Sequence, residues 1–444
     1  MDTDIKSKRG GWGSNFGFLM ASIGSAVGLG NIWGFPYKMG KSGGAVFLLF
    51  YLVLVVLVGV TVMLGELALG RRSGKSGVST YRALSKKYTW LGYAGVLCGF
   101  CIMCFYFVLG GIVLRYAVGY FLSLFGGSTF AWSGQGTDFF GYFLTDTKSM
   151  ILFFVLYILL NIIVVSGGVH GGIEKFCNIG MPALFCLLVF IIAYIACQPG
   201  AAEGYKFMFT PRWEALTDPM IWIWAMGQAF FSLSVTGSGM IVYGAYLSDE
   251  EHVVGVAQHT AMFDTIAAVV AALVIIPACF AYGQDVGAGP SLLFVTLPTI
   301  LQDLPLGRLF AIILYVAMIF AGVSSLQNMF EAVAESLMHK FPKLSRTAVL
   351  AILCVLCLGF GIGMEPISKW GPWMDLVSIY IIPIGATLGA ISWFYVMKKS
   401  ELLNAVNTGS TKQRGKLWYS VGRYVYVPLA LILCCVALFM QVAF

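Results

Sequence analysis

The chain has 444 residues, of which 59% are hydrophobic and 11% charged, and its mean hydropathy is +0.86. This composition excludes an ordinary soluble domain and predicts an all-α polytopic membrane protein with one transmembrane domain over residues 1–444. The net charge of +7 comes from basic residues in short loops between apolar segments, a pattern typical of topology determinants. We therefore expect membrane lipid, and no nucleic acid, as a partner.

Eleven apolar segments are long enough to cross a bilayer at roughly 20 residues per span. They lie at about 14–39, 44–70, 90–125, 150–166, 179–197, 221–247, 258–282, 306–338, 347–364, 373–397 and 419–444. With the N-terminus inside, 19 of the 27 basic residues fall on the inner side. The positive-inside rule then predicts a cell-membrane protein with a cytoplasmic N-terminus and an outer C-terminus. The outer connection at 283–305 ends in the apolar piece Leu292–Ile300, which indicates a lid that folds back.

The first segment contains an unusual stretch, Gly24–Pro36, which reads GSAVGLGNIWGFP. Four glycines, an asparagine and a proline are poorly suited to a lipid-exposed helix, because they weaken it and an unpaired backbone amide in hydrocarbon costs several kcal/mol. Such a stretch is tolerated where the backbone faces a cavity. It predicts a helix broken at membrane depth, with backbone groups available to a ligand or ion.

The sixth segment is interrupted in a similar way over Phe231–Gly239, where small hydroxyl residues and glycines occur within an apolar run. Segments 1 and 6 are five spans apart, so the two halves of the chain run through the bilayer in opposite directions. Two broken helices at corresponding positions of inverted halves indicate a transport site between them.

The eighth segment contains a patch of small and hydroxylated residues, Ala321–Ser325. It has two interpretations, a close helix contact or a set of oxygen ligands for a hard cation. Six charged residues also lie within or at the rim of segments and should face the bundle interior or water. They are Glu66, Arg115, Asp264, Glu331, Glu335 and Asp375. Asp264 is suited to neutralise a bound cation, whereas Glu66 has an equally weighted structural interpretation as an acceptor for amides of a helix break.

These motifs together resemble the neurotransmitter:sodium symporter family over nearly the whole chain. The matching residues are Arg9–Trp12, Gly24–Pro36, Gly43–Ala45, Gly227–Ser234 and Ala321–Ser325. The resemblance implies a five-plus-five inverted-repeat fold with broken helices 1 and 6 and eleven transmembrane helices. The first repeat would span about 14–197, the second about 221–397, and an extra helix about 419–444. The implied function is sodium-coupled uptake of an amino acid or related amine by alternating access.

The resemblance also implies binding residues. The first sodium site (Na1) would use Ala26, Asn31, Ser232 and Asp264 together with the substrate carboxylate. The second (Na2) would use Gly24, Val27, Ala321, Ser324 and Ser325. The residues expected around the substrate are Ala26, Leu29, Gly30, Ile102, Tyr106, Phe231, Ser232, Ser234, Gly237, Ser325 and Met329. Tyr106 and Phe231 would close the outer side of this pocket.

Two departures from the family concern the ions and the pocket. Asp264 occupies a position where most members have asparagine, and Ala268 one where chloride-dependent members have serine. A fixed carboxylate beside the sodium ion can take the role of chloride, so we expect chloride-independent uptake. Gly237 stands where many amino-acid transporters have a bulky side chain, which favours aromatic or large aliphatic amino acids.

Other departures concern the gates. Gly34 replaces the arginine of the outer gate, although the aspartate partner is retained as Asp375, and Lys38 lies one helical turn further along. We expect Lys38 or water-mediated contacts to replace the missing cation. At the inner gate Arg9 and Trp12 are present, but His339 replaces the family aspartate.

Glu335, one turn before His339, is the alternative partner for Arg9, and the interpretation of Arg9 as a topology charge stays open. Two other function classes stay open. An intramembrane hydrolase would need a nucleophile such as Ser238 and a base such as His259, and a channel or transporter-like receptor would keep the same ion sites. The sequence also leaves the oligomeric state open, a homo-oligomer included.

Overall fold

The computed structural model describes residues 14–75, 77–125, 140–141, 145–236, 238–247, 252–287, 289, 292–303, 305–364, 367–409 and 413–442. Within these residues the chain is helical and forms no β-strand. The principal helices are α1 (Asn15–Ala26), α2 (Gly30–Lys41), α3 (Ala45–Ser73), α4 (Gly77–Leu84), α5 (Lys86–Ser123), α6 (Thr147–Ser166), α7 (His170–Ile195), α8 (Ala201–Phe209), α9 (Pro219–Ser232), α10 (Gly239–Ala245), α11 (Val253–Ala281), α12 (Leu292–Gln302), α13 (Gly307–Lys340), α14 (Arg346–Gly361), α15 (Lys369–Val396), α16 (Lys399–Asn407) and α17 (Lys416–Met440).

Within the described chain, eight helices are long and apolar enough to cross a membrane, and nine if the bent pair α1 and α2 counts as one span. Most helix bounds agree with the predicted segments to within a few residues. The fifth segment differs, because α7 begins at His170 rather than near residue 179. Its first turns are polar, so hydropathy did not detect them. Ser14 Oγ, at the start of α1, donates to Glu174 Oε1 at 3.1 Å, which joins this end of α7 to α1. Within α7, His170 Nδ1 lies 2.9 Å from Glu174 Oε2.

Both helices that were predicted to be broken are broken. α1 ends at Ala26, Val27 is extended (φ −72°, ψ 102°), and α2 continues at an angle of 50° to α1. α9 ends at Ser232, and the described residues before the start of α10 at Gly239 are not helical. In both segments glycine and hydroxyl residues interrupt the apolar pattern, as the sequence indicated.

The broken helices lie inside the bundle. α1 packs against α7, α11 and α13, α9 against α3, α15 and α17, and α10 against α3 and α13. The backbone groups freed at the breaks therefore face protein rather than lipid, the environment in which irregular backbone at membrane depth is tolerated.

The apolar connection before α13 folds back onto the bundle, as predicted for Leu292–Ile300. Leu292, Leu293 and Phe294 at the start of α12 are buried. The hydroxyl of Tyr116 in α5 donates to the Phe294 carbonyl at 2.6 Å, and that of Tyr315 in α13 donates to the Leu293 carbonyl at 2.7 Å. These two bonds fix the connection across the helices that it covers.

Candidate functional site

The end of α1 is held by side chains from other parts of the chain. The carbonyl of Ser25, in the last turn of α1, accepts hydrogen bonds from Ser234 Oγ at 2.7 Å and Ser325 Oγ at 3.2 Å. The backbone N–H of Gly28, inside the break, donates to Asn31 Oδ1 at 3.0 Å. The first break thus presents backbone groups to α13 and to the second break, in agreement with the inference from its glycines.

The second break has a strained residue at its centre. Ser234 has φ of +54°, a conformation that costs a non-glycine residue on the order of 1–3 kcal/mol. The bond from its hydroxyl to the Ser25 carbonyl offsets part of this cost. Further along, the N–H of Gly239 donates to Thr236 Oγ1 at 3.0 Å and the N–H of Met240 to Glu66 Oε2 at 2.8 Å. Glu66 therefore has the structural role proposed for it, as an acceptor for an amide of the broken helix.

Asp264 of α11 lies between the two breaks. Asn31 Nδ2 donates to its Oδ1 at 2.7 Å, and Ser232 Oγ lies 2.7 and 2.9 Å from its two carboxylate oxygens. Tyr51 donates to Oδ2 at 3.0 Å, and Asn31 Nδ2 also donates to Ser232 Oγ at 2.9 Å. All four side chains are buried. The structure thus brings together three of the four residues expected at Na1, while Ala26 lies buried at the adjoining end of α1.

The donor set at Asp264 fits a hard monovalent cation. A carboxylate, a hydroxyl and the carbonyls of a broken helix are oxygen ligands that such ions prefer, whereas Asn31 presents its Nδ2 to Asp264 and its Oδ1 to the Gly28 amide. The negative charge of Asp264 is also expensive at this depth unless it is paired or hydrogen-bonded. A cation held here would contact both broken helices at once.

The residues expected at Na2 lie on facing sides of α1 and α13. A Cβ atom placed on Gly24 would lie 3.0 Å from Ser324 Cβ, and one placed on Gly28 would lie 2.8 Å from Ser325 Oγ. Ser324 Oγ donates to the Ala321 carbonyl at 3.1 Å, and Val27 is buried between the helices. This cluster contains hydroxyls and carbonyls but no carboxylate from its predicted members.

The two aromatic residues expected over the pocket are adjacent. The ring centroids of Tyr106 and Phe231 are 6.0 Å apart, and a Cβ atom on Gly30 would overlap the Phe231 ring. The Tyr106 hydroxyl lies beside Ser325 and the backbone amides of Leu29 and Gly30. Ile102 and Met329 are buried on α5 and α13, whereas Gly237 lies outside the described residues.

A cavity next to the rings of Tyr106 and Phe231 is lined by residues that include Trp33, Lys38 and Gln228. Lys38 is buried, and its Nζ donates to Gln228 Oε1 at 2.7 Å. Gln228 Nε2 in turn donates to the Gly30 carbonyl at 3.1 Å. The charge of Lys38 also interacts with that of Asp375. The structure thus brings Lys38 and Asp375 into one electrostatic environment.

A second polar cluster joins α10, α13 and α14. Arg346 Nη2 lies 2.6 Å from Glu331 Oε2, and the hydroxyl of Tyr246 donates to Glu331 Oε1 at 2.7 Å. Glu335, one turn along α13, is buried and interacts electrostatically with Arg346. Glu335 is one of the residues expected at the inner gate. The other two, Arg9 and Trp12, lie outside the described residues, so the pairing of Arg9 with Glu335 stays a prediction.

Several of these partners were not predicted. Sequence reasoning gave no role to Tyr51, Ser25, Gln228, Tyr246 or Arg346. Gln228 lies within the motif Gly227–Ser234 and its polarity in an apolar helix was a usable signal. Ser238, the nucleophile considered for a hydrolase, has no hydrogen-bond partner among the described residues and so is not hydrogen-bonded to a histidine there.

Comparisons with known proteins agree with this geometry. The model of the sodium:neurotransmitter symporter family matches residues 9–142 and 141–443. The uncharacterized sodium-dependent transporter YhdH of Bacillus subtilis is 34% identical, over 95% of this chain and 96% of its own. The uncharacterized sodium-dependent transporter MJ1319 of Methanocaldococcus jannaschii is 31% identical, over 93% of this chain and 87% of its own.

Among solved structures, MhsT in complex with L-phenylalanine superposes with a TM-score of 0.89 at 33% identity, over 97% of this chain and 100% of the MhsT chain. The similarity therefore extends from the sequence to the arrangement of the helices. Since the family match covers nearly all residues, this multi-pass membrane protein belongs to the sodium:neurotransmitter symporter family, whose members are transporters rather than enzymes.

Proposed function

We propose that the protein is a secondary symporter that couples sodium entry to the uptake of an amino acid by alternating access. The observation that supports this most directly is the position of Asp264, which is hydrogen-bonded to Asn31 after the first break and to Ser232 at the second. A cation bound there would draw the two broken helices together. Its binding would therefore be coupled to the arrangement of the substrate site between them.

We propose eleven spans in a five-plus-five inverted repeat followed by an extra helix. The bent pair α1 and α2 forms span 1, the pair α9 and α10 forms span 6, α14 forms span 9 and α17 lies outside the repeats. The distribution of basic residues supports a cytoplasmic N-terminus and an outer C-terminus.

Two sodium ions are proposed. Na1 would be held by Ala26, Asn31, Ser232 and Asp264 with the substrate carboxylate, and Na2 by Gly24, Val27, Ala321, Ser324 and Ser325. The substrate carboxylate would meet the amides of Leu29 and Gly30, beside the Tyr106 hydroxyl. Its ammonium would meet carbonyls near Ala26 and Phe231.

We propose that uptake is independent of chloride, because Asp264 supplies a fixed negative charge in the sodium site itself. Uptake should be unchanged when gluconate replaces chloride. The double variant Asp264→Asn/Ala268→Ser restores the residue pair of chloride-dependent relatives, and chloride should then stimulate its uptake. Wild-type uptake that collapses in gluconate would overturn this part of the proposal.

For the outer gate, we propose that Lys38 replaces the arginine absent at Gly34. Its hydrogen bond to Gln228 and its attraction to Asp375 support this role. Arg9, Trp12 and Glu335 are the proposed inner gate. As the substrate we propose a large aliphatic or aromatic amino acid, a class consistent with the L-phenylalanine bound to MhsT.

The test is uptake into proteoliposomes under an inward sodium gradient, with all twenty amino acids as competitors of one labelled substrate. Sodium-dependent accumulation above the external concentration is expected, and its collapse with a sodium ionophore should follow. A channel would not accumulate substrate, and a receptor would bind it without transport. Either result would overturn the proposed function.

A further inference from the structure

Asn328 of α13 is fully buried, at 0% exposure. In the part of the chain that the structure describes, neither its Nδ2 nor its Oδ1 atom has a hydrogen-bond partner. Leaving a buried polar group unsatisfied costs roughly 1–3 kcal/mol. A donor and an acceptor are left unsatisfied together in this side chain, which indicates that another molecule supplies their partners.

The position of Asn328 is next to the proposed substrate site. It follows Ser324 and Ser325 by four and three residues, so it lies on the side of α13 that faces the first break. A Cβ atom placed on Gly239 would lie 3.6 Å from Asn328 Nδ2, which puts the amide against the start of α10. The amide therefore lies where α13 meets the second break.

A second buried polar group lies at the same place. The Oγ atom of Ser238, immediately before α10, is also buried and without a partner among the described residues. The side chain of Ser238 lies against Gly95 of α5, and the neighbouring Gly99 faces Met329 at 3.7 Å from the position of a Cβ atom. Val333 Cγ2 is closer still, at 3.3 Å from that position, so the side chains that face Gly99 are apolar and supply no hydrogen-bond partner for the amide.

We propose that Asn328 binds the side chain of the transported amino acid and selects large side chains that carry an N–H or O–H group. Tryptophan and tyrosine have this chemistry, whereas phenylalanine and leucine do not. This inference rests on the proposed function. The backbone groups at the breaks would hold the carboxylate and the ammonium, so the side chain extends past Ser325 and Met329 towards Asn328.

Physical chemistry gives the direction of the selectivity. A site built to hydrogen-bond a substrate group discriminates against an analogue that lacks it, because the buried groups of the protein are then left unpaired. An asparagine amide accepts from an indole N–H and both donates to and accepts from a phenol. One such bond corresponds to about a tenfold preference.

The experiment measures inhibition constants for tryptophan, tyrosine and phenylalanine against one labelled substrate in proteoliposomes. Wild type should prefer tryptophan or tyrosine over phenylalanine by about tenfold. Asn328→Leu, which removes the amide at similar size, should reduce this ratio at least about fivefold. Gln327→Leu is the matched control, because Gln327 is also a buried amide of α13 but donates to Asn161 Oδ1 at 3.0 Å, on the α6 side. The ratio of inhibition constants in Gln327→Leu should equal that of wild type. This ratio does not depend on the yield of folded protein, because both constants are measured on the same preparation.

A ligand-side test on wild type covers the case in which Asn328→Leu does not fold. Tryptophan should inhibit more strongly than 1-methyltryptophan, and tyrosine more strongly than 4-fluorophenylalanine. Equal inhibition within both pairs would overturn the inference, as would an unchanged ratio in Asn328→Leu. Absence of sodium-dependent uptake of any amino acid would instead overturn the proposed function.

Discussion

The two helix breaks are built by different means. The first break, between α1 and α2, accepts hydrogen bonds from side chains of other helices and of the second break. Ser234 and Ser325 donate to the Ser25 carbonyl, and Gln228 donates to the Gly30 carbonyl. The second, between α9 and α10, is anchored by Glu66 of α3 and by the hydroxyl of its own Thr236. At the first break side chains from other parts of the chain donate to backbone carbonyls, whereas at the second break the backbone amides at the start of α10 donate to Glu66 and Thr236.

The difference between the two breaks predicts which variants should change transport and which should change the stability of the fold. A change in any helix that reaches the first break alters groups proposed to hold ions and substrate, so it should change transport. Glu66, the anchor of the second break, is not among the groups proposed to hold ions or substrate, so a change there should mainly weaken the fold. Asp264 is bonded to residues at both breaks, so it should have the greatest effect on transport.

The largest effect is expected for Asp264→Asn. It removes the one carboxylate that the protein contributes to the proposed sodium sites, so the sodium concentration for half-maximal uptake should rise by at least about tenfold. Tyr51→Phe removes one hydrogen bond to the carboxylate but keeps its charge, and should raise that concentration only about threefold. Equal effects of the two variants in proteoliposome uptake would contradict the central role given to the charge.

Next is Glu66→Gln, which tests the anchor of the second break. The amide oxygen still accepts from Met240, but the bond loses its charge assistance, which roughly halves its strength. The unfolding temperature in detergent should fall by about 1–2 °C, with sodium dependence within about twofold of wild type. Glu203→Gln, at an exposed carboxylate of α8, is the control and should leave the unfolding temperature unchanged. A large shift in sodium dependence would remove the distinction between the two breaks.

An effect on transport smaller than that of Asp264→Asn is expected for Lys38→Gln, which acts on the first break through Gln228. The variant removes the buried charge of Lys38 that interacts with Asp375, so uptake should fall by about five- to tenfold and its dependence on ionic strength should change. Lys41→Gln is the matched control, because the Nζ of Lys41 lies over the Trp224 ring rather than against Gln228. Wild-type uptake and salt dependence in Lys38→Gln would refute the proposed outer gate.

The smallest effect is expected for Ser324→Ala. A neutral hydroxyl contributes about 1 kcal/mol, so the half-saturating sodium concentration should rise by about three- to fivefold. Ser336→Ala removes another buried hydroxyl of α13 whose bond is within the helix, to the Ala332 carbonyl at 2.8 Å, and should change nothing in sodium dependence. If both variants behave alike, Ala321–Ser325 is a packing patch, the other interpretation that its small residues allowed.

The sequence was sufficient for the helices and for both breaks. Apolar length gives the spans, and the glycine-rich stretch at 24–36 and the hydroxyl-rich stretch at 231–239 are incompatible with an uninterrupted lipid-facing helix. Family resemblance then gave Asn31, Ser232 and Asp264, which the structure places in contact. These features could be predicted from the sequence because each depends on local backbone chemistry or on a motif.

The hydrogen-bond partners of these residues could not be predicted from the sequence. Tyr51 and Asp264 are separated by 213 positions, and Lys38 and Gln228 by 190. A tyrosine inside an apolar run is indistinguishable, in sequence, from one at a membrane interface. The Ser25 carbonyl carries no side-chain signal at all, since its importance comes from where α1 ends and which hydroxyls lie opposite.

Gly17, in the first turn of α1, determines how closely α1 can pack against α7. A Cβ atom there would overlap the carboxylate of Glu174, so the start of α1 touches α7 without any gap. α1 contains 12 residues and is about 18 Å long. Its first turn is therefore about 18 Å from the first break, and the single hydrogen atom of the Gly17 side chain allows that turn to pack directly against α7.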